Sequence, residues 1–517
     1  MKNKDLQIKA GISLVFALIV WWFWAFKYPC ALALQEELQC FLFDGGYFME
    51  RLMMPAGIAR YFGEFLVQFY YKPVVGGAVL ALVYMLLHIA TCCLARKNGR
   101  NTVFDYIICL MPVILLWWYM GDVKIKLTFA MALLLAELAM LLCPRKDKKV
   151  CKLIYLLVAT PVLAWIAGPA VLCLSLYVVV RDIRKPIDWL SMAMIVYAPA
   201  CILVCGQFAC VPTARLFYGI HYSMVVDEFP MVQYIIMAVT AVSPLAVCFI
   251  PLPEKSKTMN IMTSSTALAL VLLTVLLLGS TYGTKDYEVM KYDAMVRKQQ
   301  WDKIILAARQ NNPDTPLTVA SLNLALAMQG QLNEQGPGFY QNGWEGAFPI
   351  FNKQYMTSIM SGEVYFYTGL VNASMRLAFE AMEGLPDNAK SARLYRRLAE
   401  VNLINGRYEV AKKYLKLLQK TMFYKEWAAN MMNLIGSEKA INAHPLYGTL
   451  RKYRVTDDFM FSEQEVDKMM GQLLLHNPEN TMAMQYLLFL PRLEGNRQKE
   501  MMYLDFVRTH TNYRVNP

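Results

Sequence analysis

The chain has 517 residues, and 57% of them are hydrophobic while only 17% are charged. That composition is too apolar for an ordinary soluble protein and indicates a membrane protein with room for more than one domain. The formal net charge of +12 fits the same class, because polytopic membrane proteins hold lysine and arginine in their cytoplasmic loops. The charge therefore gives no reason to expect a nucleic-acid-binding protein.

The apolar residues are unevenly distributed along the chain. They form long blocks up to about residue 280, whereas charged residues recur every few positions from 281 onward. We therefore predict an all-α protein with a transmembrane bundle at 1–280 and a soluble helical-repeat domain at 281–517. All twelve cysteines precede Met259, so the second domain is no disulfide scaffold, and no ligand spacing predicts a metal site.

The first apolar segment, 10–26, follows Lys2, Lys4 and Lys9, as the apolar core of a signal peptide would. Its many aromatic residues and its weak cleavage site favour a retained first span. Other blocks of about 17 to 25 residues, the length that crosses a bilayer, follow this one. They lie at 74–94, 103–120, 127–143, 189–211, 231–250 and 261–280. A further block, 153–180, is long for one crossing and short for two.

Basic residues predict how these spans are oriented. Five basic clusters would all be cytoplasmic by the positive-inside rule. They lie at the amino terminus and at 96–100, 144–149, 181–185 and 253–257. Alternate loops then face outward, which requires 153–180 to cross twice with a turn at Gly168-Pro169. The prediction is about nine spans in a bacterial inner membrane, with a cytoplasmic amino terminus and a periplasmic carboxyl terminus.

The first outward loop, 28–72, is rich in aromatic residues but carries too many charges to span a bilayer. In its second half Phe62 and Phe65 share one helix face. Arg60 and Glu64 lie four residues apart on the opposite face. This pattern is typical of a helix that lies in the membrane interface. The loop is therefore predicted to form a pair of interfacial helices; the alternative is a soluble helix that packs on the outer domain.

The segment YRRLAEVNLINGRYEVAKKYLKLLQK, residues 395–420, resembles a tetratricopeptide repeat. Leu398 and Ala399 belong to its first helix, Gly406 marks the turn, and Ala411 lies in the second helix. Looser matches elsewhere predict about three or four such units. Repeats of this kind stack into a solenoid with a binding face; unrelated helical hairpins are the alternative.

Over most of its length the chain resembles a family of uncharacterised multi-pass proteins of Bacteroidota, most clearly in QEELQCFLFDGGYFMERL and PAGIARYFGEFLVQFYYKP. Its layout is more distantly similar to the GT-C membrane glycosyltransferases. In that superfamily an acidic residue of the first outward loop acts as base or metal ligand in transfer from a lipid-linked sugar. By location, the resemblance implies catalytic roles for Glu36, Glu37 and Asp44, with a divalent metal as the cofactor to test. Glu37 and Asp44 would share a helix face if their helix continues.

A second outward loop, TARLFYGIHYSMVVDEFP, supplies candidates for substrate binding. A guanidinium there could hold a lipid diphosphate, and a carboxylate could deprotonate an acceptor hydroxyl. The candidates are Arg215, His221, Asp227 and Glu228. The alternative is that they are solvated loop charges. Inside predicted spans, Glu137 and His88 are further candidates, because ionisable groups are costly in a membrane.

Three functions remain open. The first is a glycosyltransferase that uses a polyprenyl-linked sugar donor at the periplasmic face. The second is a membrane scaffold without enzymatic activity whose periplasmic repeats recruit envelope proteins, and the third is a transporter. An outward acidic pocket at the mouth of the bundle would favour the enzyme, whereas a filled bundle would favour the scaffold. In each case the lipid bilayer is the first partner.

Overall fold

The computed structural model describes residues 2–145, 148–183, 188–224, 228–281, 284–350, 352, 354–386, 389–456, 462 and 465–512. The regular secondary structure of these residues is helical, which confirms the predicted all-α class. The chain divides into two compact units, Met1–Gly283 and Thr284–Pro517, called unit 1 and unit 2 below.

Unit 1 contains the apolar helices. Short π or 3-10 turns extend or join some of them. The helices are α1 (Lys2–Trp22), α2 (Pro29–Glu37), α3 (Gly45–Leu52), α4 (Gly57–Val67), α5 (Pro73–Lys97), α6 (Val103–Ile108), α7 (Met111–Tyr119), α8 (Thr128–Leu142), α9 (Lys149–Ala167), α10 (Val171–Asp182), α11 (Trp189–Gln207), α12 (Thr213–Tyr218), α13 (Met231–Ala246) and α14 (Ser256–Gly279).

Six stretches of the described residues are long and apolar enough to cross a membrane, so the predicted count of about nine spans is wrong. The six are Lys4–Lys27, Pro73–Lys97, Lys149–Asp182, Trp189–Gln207, Met231–Phe249 and Ser256–Gly279. The block at 103–120 is divided into α6 and α7. With 15 residues, α8 is only about 22 Å long, shorter than the hydrocarbon core of about 30 Å. Many apolar side chains of the six stretches are exposed on unit 1, which indicates contact with a lipid bilayer.

The stretch Lys149–Asp182 is not one straight helix. Gly168 ends α9 with a φ of +61°, a backbone conformation that favours glycine. Lys152, in the first turn of α9, forms an ion pair with Asp182, the last residue of α10. A continuous helix would separate these residues by about 45 Å. The chain therefore turns back at Gly168-Pro169, where the sequence predicts a turn.

The described residues of the basic clusters of unit 1 gather at one end, called the basic end here. Hydrogen bonds join the amino-terminal helix to the loop after α5, and that loop to the ends of α8 and α13. They are Lys9 Nζ to Asn101 O (2.6 Å), Lys97 Nζ to Leu141 O (2.8 Å) and Cys248 Sγ to Asn98 O (3.5 Å). The described residues of these clusters thus lie on one side of the unit, as the positive-inside interpretation requires.

The opposite end, called the loop end, brings together the residues at 28–72, 120–127, 168–170 and 208–224. Hydrogen bonds again connect these segments. They are Tyr28 Oη to Gly121 O (3.2 Å), Ala56 N to Trp165 O (2.8 Å) and Lys126 N to Tyr222 O (3.0 Å). Tyr28 Oη also lies 3.2 Å from Thr281 O, so the end of unit 1 is at the loop end.

Unit 2 is built from α15 (Lys285–Arg297), α16 (Trp301–Gln310), α17 (Pro316–Met328), α18 (Leu332–Gln335), α19 (Tyr355–Thr368), α20 (Val371–Glu383), α21 (Ala392–Ile404), α22 (Tyr408–Gln419), α23 (Lys425–Met432), α24 (Glu438–Ala443), α25 (Pro445–Tyr453), α26 (Val466–His476), α27 (Thr481–Leu493) and α28 (Arg497–His510). Consecutive helices pack as pairs, most extensively α19 with α20 and α21 with α22.

The α21–α22 hairpin occupies the predicted repeat segment. Leu398, Ala399 and Ala411 are buried at the helix contact. Gly406 turns the chain with a φ of +72°, which a glycine adopts without strain. The hairpin is therefore present where the sequence predicts it, while its membership in a tetratricopeptide array stays a prediction.

Candidate functional site

The loop at 28–72 folds into unit 1 rather than extending into solvent. Pro29 opens α2 with a backbone angle suited to a helix start, and the residues at 31–37 are all buried. Gly63 lets α4 approach α8 closely, since a Cβ at this position would lie 2.8 Å from Thr128 N. The sequence thus provides a small residue where two helices need a close contact.

The two faces of α4 have different surroundings. Phe62 on the apolar face is 46% exposed, as a side chain in contact with lipid would be. On the charged face, Arg60 is 1% exposed and Glu64 is 3% exposed. The charges therefore lie inside the protein. Ionic partners there compensate for the cost of burying them.

Glu64 joins two arginines. Its carboxylate accepts from Arg60 Nε at 2.7 Å and from Arg51 Nε at 2.8 Å, and the Tyr47 hydroxyl also donates to it. Burial alone would raise the pKa of Glu64, but the positive charges of Arg60 and Arg51 lower it to about 2. Burial and the charge of Glu64 raise the pKa of Tyr47. Glu64 is therefore ionised and Tyr47 is protonated.

His221 reaches this group from the second outward loop. Its Nδ1 atom lies 3.1 Å from Arg60 Nη1. Burial, followed by the positive charges of Arg60 and Lys126, lowers the pKa of His221 well below its usual value. The imidazole is therefore neutral and accepts from the guanidinium through Nδ1. Tyr47, Arg51, Arg60, Glu64 and His221 are called the polar cluster below.

Of the three residues predicted to be catalytic, two are buried and the third caps a helix. Glu36 is 4% exposed and Glu37 is 1% exposed, so neither carboxylate is accessible to solvent. Asp44 is half-buried and caps α3, accepting from Gly46 N at 2.8 Å. Since α2 ends at Glu37, Glu37 and Asp44 do not share a helix face. Their catalytic roles stay a prediction.

The four residues predicted to bind substrate are divided by the structure. His221 belongs to the polar cluster, and the half-buried Arg215 lies close enough to contribute to the lowered pKa of His221. Glu228 is exposed. Asp227 lies outside the described residues.

Sequence reasoning missed several members of the site. Arg51 and Tyr47 were not singled out, although both lie in the charged aromatic loop. Lys126 is 1% exposed and directly precedes the predicted block at 127–143. A useful signal would have been a charged residue immediately beside an apolar block.

The two intramembrane candidates are both fully buried. Glu137 Oε1 lies 2.5 Å from Thr91 Oγ1, and His88 Nε2 lies 2.9 Å from Tyr106 O. Within the described part of the chain, no group of three or more His, Cys, Asp or Glu side chains is arranged to hold a metal ion.

Comparison with known proteins gives a family but no activity. No curated protein and no solved structure matches the chain significantly. One family model matches residues 4–516, which include nearly all of both units. The chain therefore belongs to DUF6057, a family of unknown function.

Proposed function

We propose that the chain is a membrane-anchored scaffold in which unit 1 is the anchor and unit 2 binds envelope proteins. The observation that carries this proposal is that the loop-end carboxylates are buried or cap a helix. Glu36, Glu37 and Glu64 are at most 4% exposed, and Asp44 caps a helix. A catalytic base must reach the hydroxyl that it deprotonates, and these buried groups do not offer such access.

The helical pairs of unit 2 support a binding role. We interpret the α21–α22 hairpin and its neighbours as tetratricopeptide-like repeats, which present extended surfaces to partners. Two of these helices expose large apolar side chains. Phe379 of α20 is 46% exposed and Val410 of α22 is 41% exposed. These two side chains give positions on the surface of unit 2 at which a bound partner can be detected.

The distribution of charge supports an orientation in the inner membrane. We assign the basic end of unit 1 to the cytoplasm, because lysine and arginine are retained on that side. The chain begins at this end and leaves unit 1 at the loop end, beside Tyr28. Unit 2 then follows on the periplasmic side.

Photocrosslinking in intact cells tests the scaffold proposal. A photoreactive residue at position 379 or 410 should form a covalent adduct with an envelope protein. As a matched control, position 276 of α14 is 74% exposed but lies in a candidate span, so it should label lipid instead. The proposal fails if the full-length protein is present at normal level and neither unit 2 position yields a protein adduct.

A glycosyltransferase is the second candidate, and one observation favours it. Ionisable side chains that are distant in sequence converge at the loop end: Glu64 and Arg60 from the first loop, Lys126 before α8, and Arg215 and His221 from the second outward loop. Buried ionisable groups in membrane proteins are frequently functional. An enzyme with a polyprenyl-linked donor would require the first loop to open and expose them.

A further inference from the structure

Glu137 is an acidic residue in the interior of unit 1, away from the polar cluster. It lies on α8 between α5 and α10, and it is fully buried. Its Oε1 atom lies 2.5 Å from the hydroxyl oxygen of Thr91. Its Oε2 atom has no hydrogen-bond partner among the residues that the structure describes.

The hydroxyl of Thr91 limits the possible hydrogen bonds. Thr91 Oγ1 lies 2.5 Å from Glu137 Oε1 and also 3.0 Å from Leu87 O. A hydroxyl has one proton, so it can donate to only one of these two oxygens. If Glu137 were ionised, two acceptors would compete for that proton. If Glu137 carries a proton, it donates to Thr91 Oγ1, and Thr91 donates to Leu87 O.

We propose that Glu137 is a proton-binding site inside the membrane unit and is protonated at neutral pH. The arrangement of oxygens around Thr91 provides a complete hydrogen-bond chain only for the acid form. A neutral carboxyl also leaves a carbonyl oxygen at Oε2, which is far less costly to bury without a donor than a charged oxygen. Binding and release exchange one proton between the Glu137 carboxyl and water.

The groups that face Glu137 do not compensate a negative charge. Cys92 on α5 and Cys173 on α10 lie close enough to Glu137 to interact with it electrostatically. On α9, Tyr155 donates to Ala139 O at 2.6 Å, two residues along α8 from Glu137. Helix α4, which carries Arg60 and Glu64, contacts the start of α8, where Gly63 meets Thr128. None of these groups is a cation beside the carboxyl.

The ligand is a proton rather than a metal ion. The described residues include no group of three or more His, Cys, Asp or Glu side chains that could hold a metal ion. The thiols and the hydroxyl near Glu137 are polar groups compatible with a protonated carboxyl. Tyr177 follows Cys173 by one turn of α10, and its hydroxyl lies 3.1 Å from Asn98 Nδ2, at the half-buried basic end of α5.

Infrared difference spectroscopy of the purified full-length protein tests this inference. Subtracting the spectrum of Glu137→Gln from that of the native protein at neutral pH should leave the carbonyl stretch of a protonated carboxyl. The band should shift in heavy water, because the proton exchanges. Asp105→Asn is the control, since Asp105 is equally buried but lies 3.0 Å from Arg100 and should yield only carboxylate bands.

A second variant keeps the test valid if Glu137→Gln does not fold. Thr91→Val removes the hydroxyl but retains the shape of the side chain and leaves Glu137 in place. The protonated-carboxyl band should then move to higher frequency, since its hydrogen bond is lost. The proposal is overturned if the native protein lacks this band, or if neither substitution alters it.

Discussion

The carboxylate of Glu64 holds together two arginines that have no access to bulk water. We expect Glu64→Gln to destabilise the protein by about 3–5 kcal/mol, because removal of one partner leaves buried charges uncompensated. Glu50→Gln is the matched control. Glu50 also contacts Arg51 but is 61% exposed, and exposed ion pairs contribute about 0–1 kcal/mol. Thermal melting in detergent measures both. Equal melting temperatures for the two variants would contradict a structural role for Glu64.

The neutral His221 makes the stability of unit 1 depend on pH. Its pKa is lowered well below 6.5 in the folded protein by burial and by Arg60. As pH falls below about 6.5, the unfolded chain binds a proton at this residue and the folded chain does not, so stability decreases. Glu64 adds no such dependence until pH falls below 4.5. We expect the melting temperature to decrease between these values, and His221→Gln to flatten the profile. An unchanged slope in that variant would refute this assignment.

At the scale of elements, the contact between α4 and α8 depends on Gly63. A methyl group there would be 2.8 Å from Thr128 N, so Gly63→Ala must push the helices apart. We expect a loss of about 1–3 kcal/mol, as for other overpacked contacts. Gly45→Ala is the control, because nothing lies within 4 Å of that position. Chemical denaturation or thermal melting should separate the two variants; if both behave like the native protein, the helices are not in close contact.

The elements also show which features the sequence can predict. The turn at Gly168-Pro169 and the α21–α22 hairpin depend on residues close in sequence, and both lie where expected. The polar cluster depends on distant pairs: Arg60 contacts His221 across 161 positions. Helical periodicity assigns Glu64 to a face of α4 but cannot show what covers that face. For the same reason the burial of Glu37 was not foreseen.

At the scale of the whole molecule, the count of spans failed for a related reason. Hydropathy measures how apolar a block is, whereas crossing also requires an uninterrupted helix of sufficient length. The block at 103–120 is apolar but broken, and α8 is apolar but short. The predicted division of the chain into an apolar half and a charged half did not depend on the length or continuity of any one helix.

The orientation of the molecule can be tested with reporter fusions. Alkaline phosphatase is active only after export, so a fusion after Ser280 should be active and a fusion at Arg100 inactive. The reason is that Arg100 lies at the basic end, which we assign to the cytoplasm. Immunoblots should show that both fusions accumulate. The opposite pattern of activity would invert the orientation and place unit 2 in the cytoplasm.

The central claim is that the loop-end carboxylates stabilise a scaffold and do not catalyse sugar transfer. Asp44→Asn tests this most directly, since asparagine also caps a helix but cannot act as a base. Envelope glycans would be profiled by mass spectrometry in the native strain, a deletion strain and a strain with Asp44→Asn. The account predicts that all three contain the same glycans. It would be contradicted if the deletion removed a glycan and Asp44→Asn, at normal abundance, removed the same one.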